Sequence, residues 1–200
     1  MAVRKILKYG EPLLTEKMKP VEYEKIKDML PELLQDMWET CLFANGAGLS
    51  ANQIGLPLRL AIIIISEKKK PVKMLTLINP RFTEKLGEMR EEEGCLSLPG
   101  LFADTRRYAH VKVEALNDRG LPIEISAQGF MAKALQHEID HLDGKLFIDH
   151  VEPMQKNQVK AKIKTMKKKW ASIDEAKMAL DENRVHGNAK SGGSLSKKTK

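Results

Sequence analysis

Cysteine is scarce. The 200-residue chain has two, Cys41 and Cys95, too few for a disulfide framework. Long apolar runs are missing too: the longest, Leu60 to Ile65, has six residues, against roughly 20 needed to cross a bilayer as a helix. Arg4 and Lys5 stand near the N-terminus, but no uninterrupted apolar stretch follows them. No secretory signal is read, and a cytoplasmic location without membrane contact is expected. An apolar fraction of 42% excludes a wholly disordered chain and suffices for a packed core. The length suits one domain, or one domain with an appendage.

A net charge of +7 would point to nucleic acid if it were spread evenly. Residues 153–200 carry 13 Lys and Arg against 4 Asp and Glu, whereas residues 1–152 carry 21 against 23. The positive excess therefore belongs to the C-terminal quarter. A nearly neutral globular unit with a basic extension is expected, and no specific DNA binding.

Along the chain, Pro20 to Phe43 begins a long element. Its apolar residues, from Ile26 to Leu42, recur at the three- and four-residue steps of an amphipathic helix. Pro31 marks a start or a kink. Asn45 to Gly55 reads as a glycine-containing loop, Leu60–Ile65 as a buried strand, and Lys68–Lys70 as a turn. Met74–Ile78 is a second apolar stretch, closed by Asn79-Pro80, and residues 81–93 read as a short strand before an acidic turn. Val111, Val113 and Ala115 alternate with polar residues, as do Ile123 and Ile125, with Asn117-Asp118-Arg119-Gly120 between: a hairpin. Gln128 to Leu142 returns to helical spacing and stops at Asp143-Gly144. Strands and helices do not alternate regularly, which favours α+β over a doubly wound parallel sheet. Val159, Ile163, Met166 and Trp170 form an apolar stripe among lysines, predicting a basic C-terminal helix over 153–183. Residues 184–200 read as a disordered basic tail.

The chemistry concentrates in His137-Glu138-Ile139-Asp140-His141. Residues four apart share a helix face, so the two imidazoles can point at one metal ion, with Glu138 beside them to take a proton from water. Met131, Leu135, Ile139 and Leu142 run along the same segment, which argues against a solvated polar face. A hydrolytic site has three protein ligands. The third could come from downstream, His150 or His186, or from upstream, Cys95 in its Gly- and Pro-containing loop. Asp140 and Asp143 do not converge with both histidines, and Cys41, on the stripe of the first helix, reads as core. The segment from Gly46 to Gly55 lacks the dinucleotide-binding spacing. Its glycines let backbone approach a ligand, and the Gln53 amide could donate to an oxyanion.

Three segments in this order, GAGLSANQIG, EEGCLSLPG and QHEIDHLDG, resemble the signature motifs of the bacterial peptide deformylases. The resemblance runs from about residue 3 to residue 150 and includes LINP and LFIDH. It implies an α+β fold, antiparallel sheets packed around a central H-E-x-x-H helix, with residues 1–152 forming the metallohydrolase domain. It further implies metal ligands Cys95, His137 and His141, Glu138 as general acid/base, and an oxyanion held by the Gln53 side chain and the Leu96 N–H. Gly46, Gly48 and Leu49 would bind substrate, and Leu49, Leu96, Ala134 and His137 would wall a methionine pocket. Leu49 and Ala134 read equally well as core. The implied reaction removes the N-formyl group from the initiator formyl-methionine of nascent polypeptides and releases formate. One divalent metal per chain is expected, Fe²⁺ by the resemblance; the ligand types also suit Zn²⁺, Ni²⁺ or Co²⁺. The basic C-terminal helix is a candidate anchor on the ribosome. Ser50 stands where alanine is commoner, and Leu101 to Arg106 departs from the usual family sequence. The rival is a zinc endopeptidase of the H-E-x-x-H type, whose third ligand lies downstream.

Overall fold

The computed structural model describes residues 3–65, 72–167, 169 and 170. Pro31 falls in the first turn of helix α2 (Leu30–Phe43), where its missing N–H has no intrahelical partner to lose. The long element expected from Pro20 is therefore divided, and a single turn, α1 (Tyr23–Ile26), precedes α2. Among the described residues seven strands follow: β1 (Gly48–Ser50), β2 (Leu60–Ile65), β3 (Lys73–Leu86), β4 (Met89–Cys95), β5 (Leu98–Arg107), β6 (His110–Leu116) and β7 (Pro122–Gln128). Helix α3 (Gly129–Leu142) carries the H-E-x-x-H segment. Residues 156–167 are helical, as are Lys169 and Trp170. The remainder of the expected 153–183 helix, the 184–200 tail and the Lys68–Lys70 turn lie outside the described residues. By its internal contacts the chain separates into Met1–Val159 and Lys160–Lys200.

All strand pairings among the described residues are antiparallel. Five strands form one sheet in the order β1-β2-β3-β6-β7, while β4 and β5 form a separate hairpin sheet. This is the α+β architecture expected from the sequence, with α3 packed against β1, β2, β6 and β7. The apolar run of β2 is continuous because both its faces are covered. Leu60 and Ile62 join α2 residues Leu30, Leu33 and Met37 on one side. On the other, Ile63 meets Leu77, Val111, Val113 and the α3 residues Leu135 and Ile139. The β6–β7 hairpin forms as expected, its turn fixed by Asn117 Oδ1, which accepts from the backbone N–H of Arg119 and Leu121.

Three local expectations change. Asn45 to Gly55 is not all loop: Gly48–Ser50 pairs with β2, and Ala51–Ile54 forms a 3₁₀ turn. Asn79-Pro80 does not close its strand, because β3 continues through a bulge between Ile78 and Arg81. There Asn79 adopts a left-handed φ of 53°, and its side chain pairs with both backbone groups of Val21, which fastens the segment ahead of α1 to the sheet. The acidic residues Glu91–Glu93 lie within β4, and the preceding turn is made instead at Gly87, whose φ is 65°.

Leu135 is fully buried where α3 meets the large sheet. Replacing it by alanine should lower unfolding free energy by about 2–5 kcal/mol through lost transfer energy plus a cavity, read as a lower urea midpoint.

Candidate metal centre

Two elements bring the site together. Helix α3 presents His137 and His141 one turn apart, their Nε2 atoms 3.2 Å from each other. The end of β4 brings Cys95, whose Sγ lies 3.2 Å from His141 Nε2. One ligand atom from each of the three residues lies within 4.8 Å of the others. Of the alternatives for a third ligand, the upstream cysteine is the one found there. His150 Nε2 lies 2.9 Å from Asp140 Oδ2 in a different group, Asp143 takes Arg59 at 2.8 Å, and His186 lies outside the described residues.

The donor set suits a metal ion. His137 Nδ1 is 2.5 Å from Glu93 Oε1. An ionised carboxylate can only accept, so Nδ1 carries the proton and, in the neutral ring, Nε2 turns a lone pair toward His141 and the sulfur. Nitrogen lone pairs beside a thiolate are the ligands of a borderline-soft divalent cation. The electrostatics agree. Burial alone would raise the Cys95 thiol, but the His141 and His137 imidazoles hold it well below its ordinary value. Cys41, buried without such partners and close to the Glu138 charge, is pushed up to about 12.

Glu93 is fixed in turn. Burial opposes its charge, yet bonds from His137 and Arg107 hold its carboxyl far below the usual range. Arg107 donates to both carboxylate oxygens, at 2.9 and 2.7 Å, Thr105 Oγ1 adds a third bond at 2.7 Å, and the other side of the guanidinium pairs with Asp140 of α3. All these groups are buried.

Glu138 is buried, and that burial raises its carboxyl against the opposing pull of His137, His141 and the Ser50 hydroxyl. Ser50 Oγ donates to Glu138 Oε2 at 2.5 Å. Gly48 lies against the other oxygen, where a Cβ would come within 2.5 Å of Glu138 Oε1; only glycine leaves that room. Gln53 Nε2 donates to Ser97 Oγ at 3.1 Å and lies 3.6 Å from Cys95 Sγ.

A cleft of about 440 Å³ opens onto this group. Gly46, Gly48, Gln53, Leu96, His137 and Glu138 line it, with Ala134, Phe102 and Phe130 as further walls. Phe102, in the divergent 101–106 stretch, packs so close to Gly94 that a Cβ there would meet its ring at 2.6 Å. His141 sits behind the cleft, 1% exposed. Of the two readings for the Leu49 side chain the structure has the core one: it is 0% exposed and packs with α2, because strand alternation turns it from the cleft side. Its neighbour behaves oppositely. Ala47 O accepts from Ile64 N, and Ser50 N donates to Gln53 Oε1 rather than to β2. Alternation therefore points the N–H and C=O of Gly48 away from β2, on the edge that is open among the described residues.

A family model of polypeptide deformylases matches residues 3–157. The chain belongs to that family. It is 51% identical over 176 residues to a peptide deformylase of Elusimicrobium minutum, covering 86% of this chain and all of the relative. Among solved structures, a peptide deformylase from Legionella pneumophila is 40% identical with a TM-score of 0.76, covering 85% of this chain and 98% of that one. The peptide deformylase of Thermus thermophilus is 35% identical with a TM-score of 0.75, at 84% and 99% coverage. The chain is thus a deformylase, a metal-dependent hydrolase that removes the N-formyl group from nascent peptides. These findings do not favour the endopeptidase. No helix among the described residues is long and apolar enough to cross a membrane.

Sequence reasoning missed Glu93 and Arg107 in this deformylase. Glu93 stands two residues before Cys95 in a strand, a legible cue hidden by the acidic run around it. Nothing local marks Arg107, which comes from the far end of β5. Glu93→Ala should weaken metal affinity about 10- to 100-fold, since it removes the acceptor that sets the His137 tautomer; titration of the apoprotein with Zn²⁺ measures this.

Proposed function

We propose that Cys95, His137 and His141 hold one divalent metal and that Glu138 is the general acid/base for hydrolysis of a formyl-methionyl N-terminus. What supports this reading is that Cys95, His137, the Glu138 carboxylate and the Gln53 amide line one cleft, with His141 directly behind it and its donor atom within 4.8 Å of the other two. When bound, the metal would polarise the formyl carbonyl and lower the pKa of water at the site. Glu138 takes a proton from the attacking water and later delivers it to the departing amine, so that formate and a free N-terminus are released. A carboxyl raised by burial suits both steps, because it is a stronger base than a solvated carboxylate and can return the proton it accepts. The Gln53 Nε2–H and the Leu96 N–H hold the oxyanion. The backbone of Gly46 and Gly48 holds the peptide as an added strand. His137, Leu96 and Ala134 face the methionine side chain. Glu93 acts through His137 as a positioning residue.

The metal is Fe²⁺, with Zn²⁺, Ni²⁺ or Co²⁺ also suited to one thiolate and two imidazoles. The protein works in the cytoplasm as a catalytic body over 1–152, followed by the basic helix 153–183 and tail 184–200. The positive excess of that extension serves as an electrostatic anchor on the ribosome.

Anaerobically purified protein should release formate from formyl-Met-Ala-Ser and leave unformylated casein intact. Glu138→Ala should keep about one metal per chain and lose turnover by at least 10²-fold, the scale of general acid–base catalysis. Near-normal activity in that variant would remove the proposed base. Truncation after Pro153 should weaken ribosome binding at low salt and flatten its salt dependence, measured by co-sedimentation. Unchanged affinity would discard the anchor.

A further inference from the structure

We infer that Ser50, which no catalytic role claims, is the positioning residue that holds the Glu138 base and the Gln53 oxyanion donor in one fixed arrangement. The inference rests on the roles proposed above for those two residues.

Ser50 is 0% exposed and sits where β1 passes into the 3₁₀ turn Ala51–Ile54. Its hydroxyl and its backbone N–H reach two different groups. Oγ donates to Glu138 Oε2 at 2.5 Å, while the Ser50 N–H donates to Gln53 Oε1 at 2.9 Å. With its Oε1 taken by that bond, the Gln53 amide can turn only its NH₂ toward Ser97 and the Cys95 sulfur, at 3.1 and 3.6 Å. The amide orientation that an oxyanion donor needs is therefore set by Ser50. On the other side, Glu138 is confined between the Ser50 hydroxyl at one oxygen and Gly48 at the other. Alanine at position 50 keeps the backbone bond to Gln53 Oε1. It removes the bond to Glu138 and leaves that buried carboxylate oxygen without its donor. In this chain the hydroxyl ties the Glu138 carboxylate to the same residue whose backbone N–H orients Gln53, and both groups must act on one reacting carbon, so its loss falls on the chemical step and spares binding.

Wild type, Ser50→Ala and Ser50→Thr, brought to equal metal content, would be assayed for formate release from formyl-Met-Ala-Ser. Ser50→Ala should lose about ten- to a hundredfold in kcat with KM within about twofold, and Ser50→Thr, which keeps the hydroxyl, should recover most of it. Independently of activity, metal-free wild type, Ser50→Ala, Glu138→Ala and the double variant form a thermal-melting cycle. The two single shifts should fail to add, because both remove the same bond. A threonine too large for the site lowers the melting temperature and leaves the cycle to decide. An active wild type with an equally active Ser50→Ala, or additive melting shifts, would overturn the positioning role alone. A wild type that releases no formate would overturn the functional reading, and the positioning role with it.

Discussion

The arrangement of the cleft hangs on one buried guanidinium. Arg107 lies at the end of β5, in the small hairpin sheet, yet its two sides reach Glu93 of β4 and Asp140 of α3. The hairpin that carries Cys95 and the helix that carries both histidines are thereby held to one another. A salt bridge on the surface would contribute little to such a joint. Buried as this one is, its geometry is enforced, because separating the charges would strand two carboxylates and a cation away from water at a cost of about 3–5 kcal/mol. Burial by itself disfavours the ionised carboxyl of Glu93 and of Asp140; the neighbouring Arg107, with His137 for one and His150 for the other, reverses this and holds both below their ordinary range. Both carboxylates stay ionised, and the His137 proton is pinned on the side away from the sulfur.

Glu138 obeys the opposite rule on the same helix. Among the described residues no cation is bonded to it, only a hydroxyl, and burial prevails. Two glutamates that serve one site are thus driven in opposite directions by what surrounds them. One becomes a permanent anion that orients, the other a group that can exchange a proton. The sequence distinguishes them only by position, since both are glutamate next to a residue of the metal cluster or two away from it.

Much of the architecture was legible because hydrophobic pattern and covalent structure speak locally. The β6–β7 hairpin follows from alternation and an Asn-Asp-Arg-Gly turn, and α3 from its spacing and its Asp-Gly stop. The boundaries that moved did so through tertiary partners invisible to a local reading. Asn79-Pro80 looks like a terminator, but Val21 satisfies the asparagine and the strand runs on. The glycines from Gly46 onward look like a loop, but Ile62 and Ile63 recruit part of it as a strand. In the site, residues named by type and spacing, Cys95 and the histidines, were readable. Arg107 was not, because its importance lies in the partners the fold gives it. Leu49 shows the reverse case: it sits inside an informative motif, and the pleat turns its side chain into the core, one of the two readings its sequence allowed.

The open edge of β1 has a consequence for what the protein can discriminate. Gly48 offers an N–H and a C=O, and every peptide unit of every polypeptide offers the complementary pair. An enzyme that grips its substrate there reads the direction and extension of a chain and is blind to its composition. Selectivity is left to the short stretch nearest the reacting group, and indifference to everything behind it is what lets one catalyst serve chains of unrelated sequence.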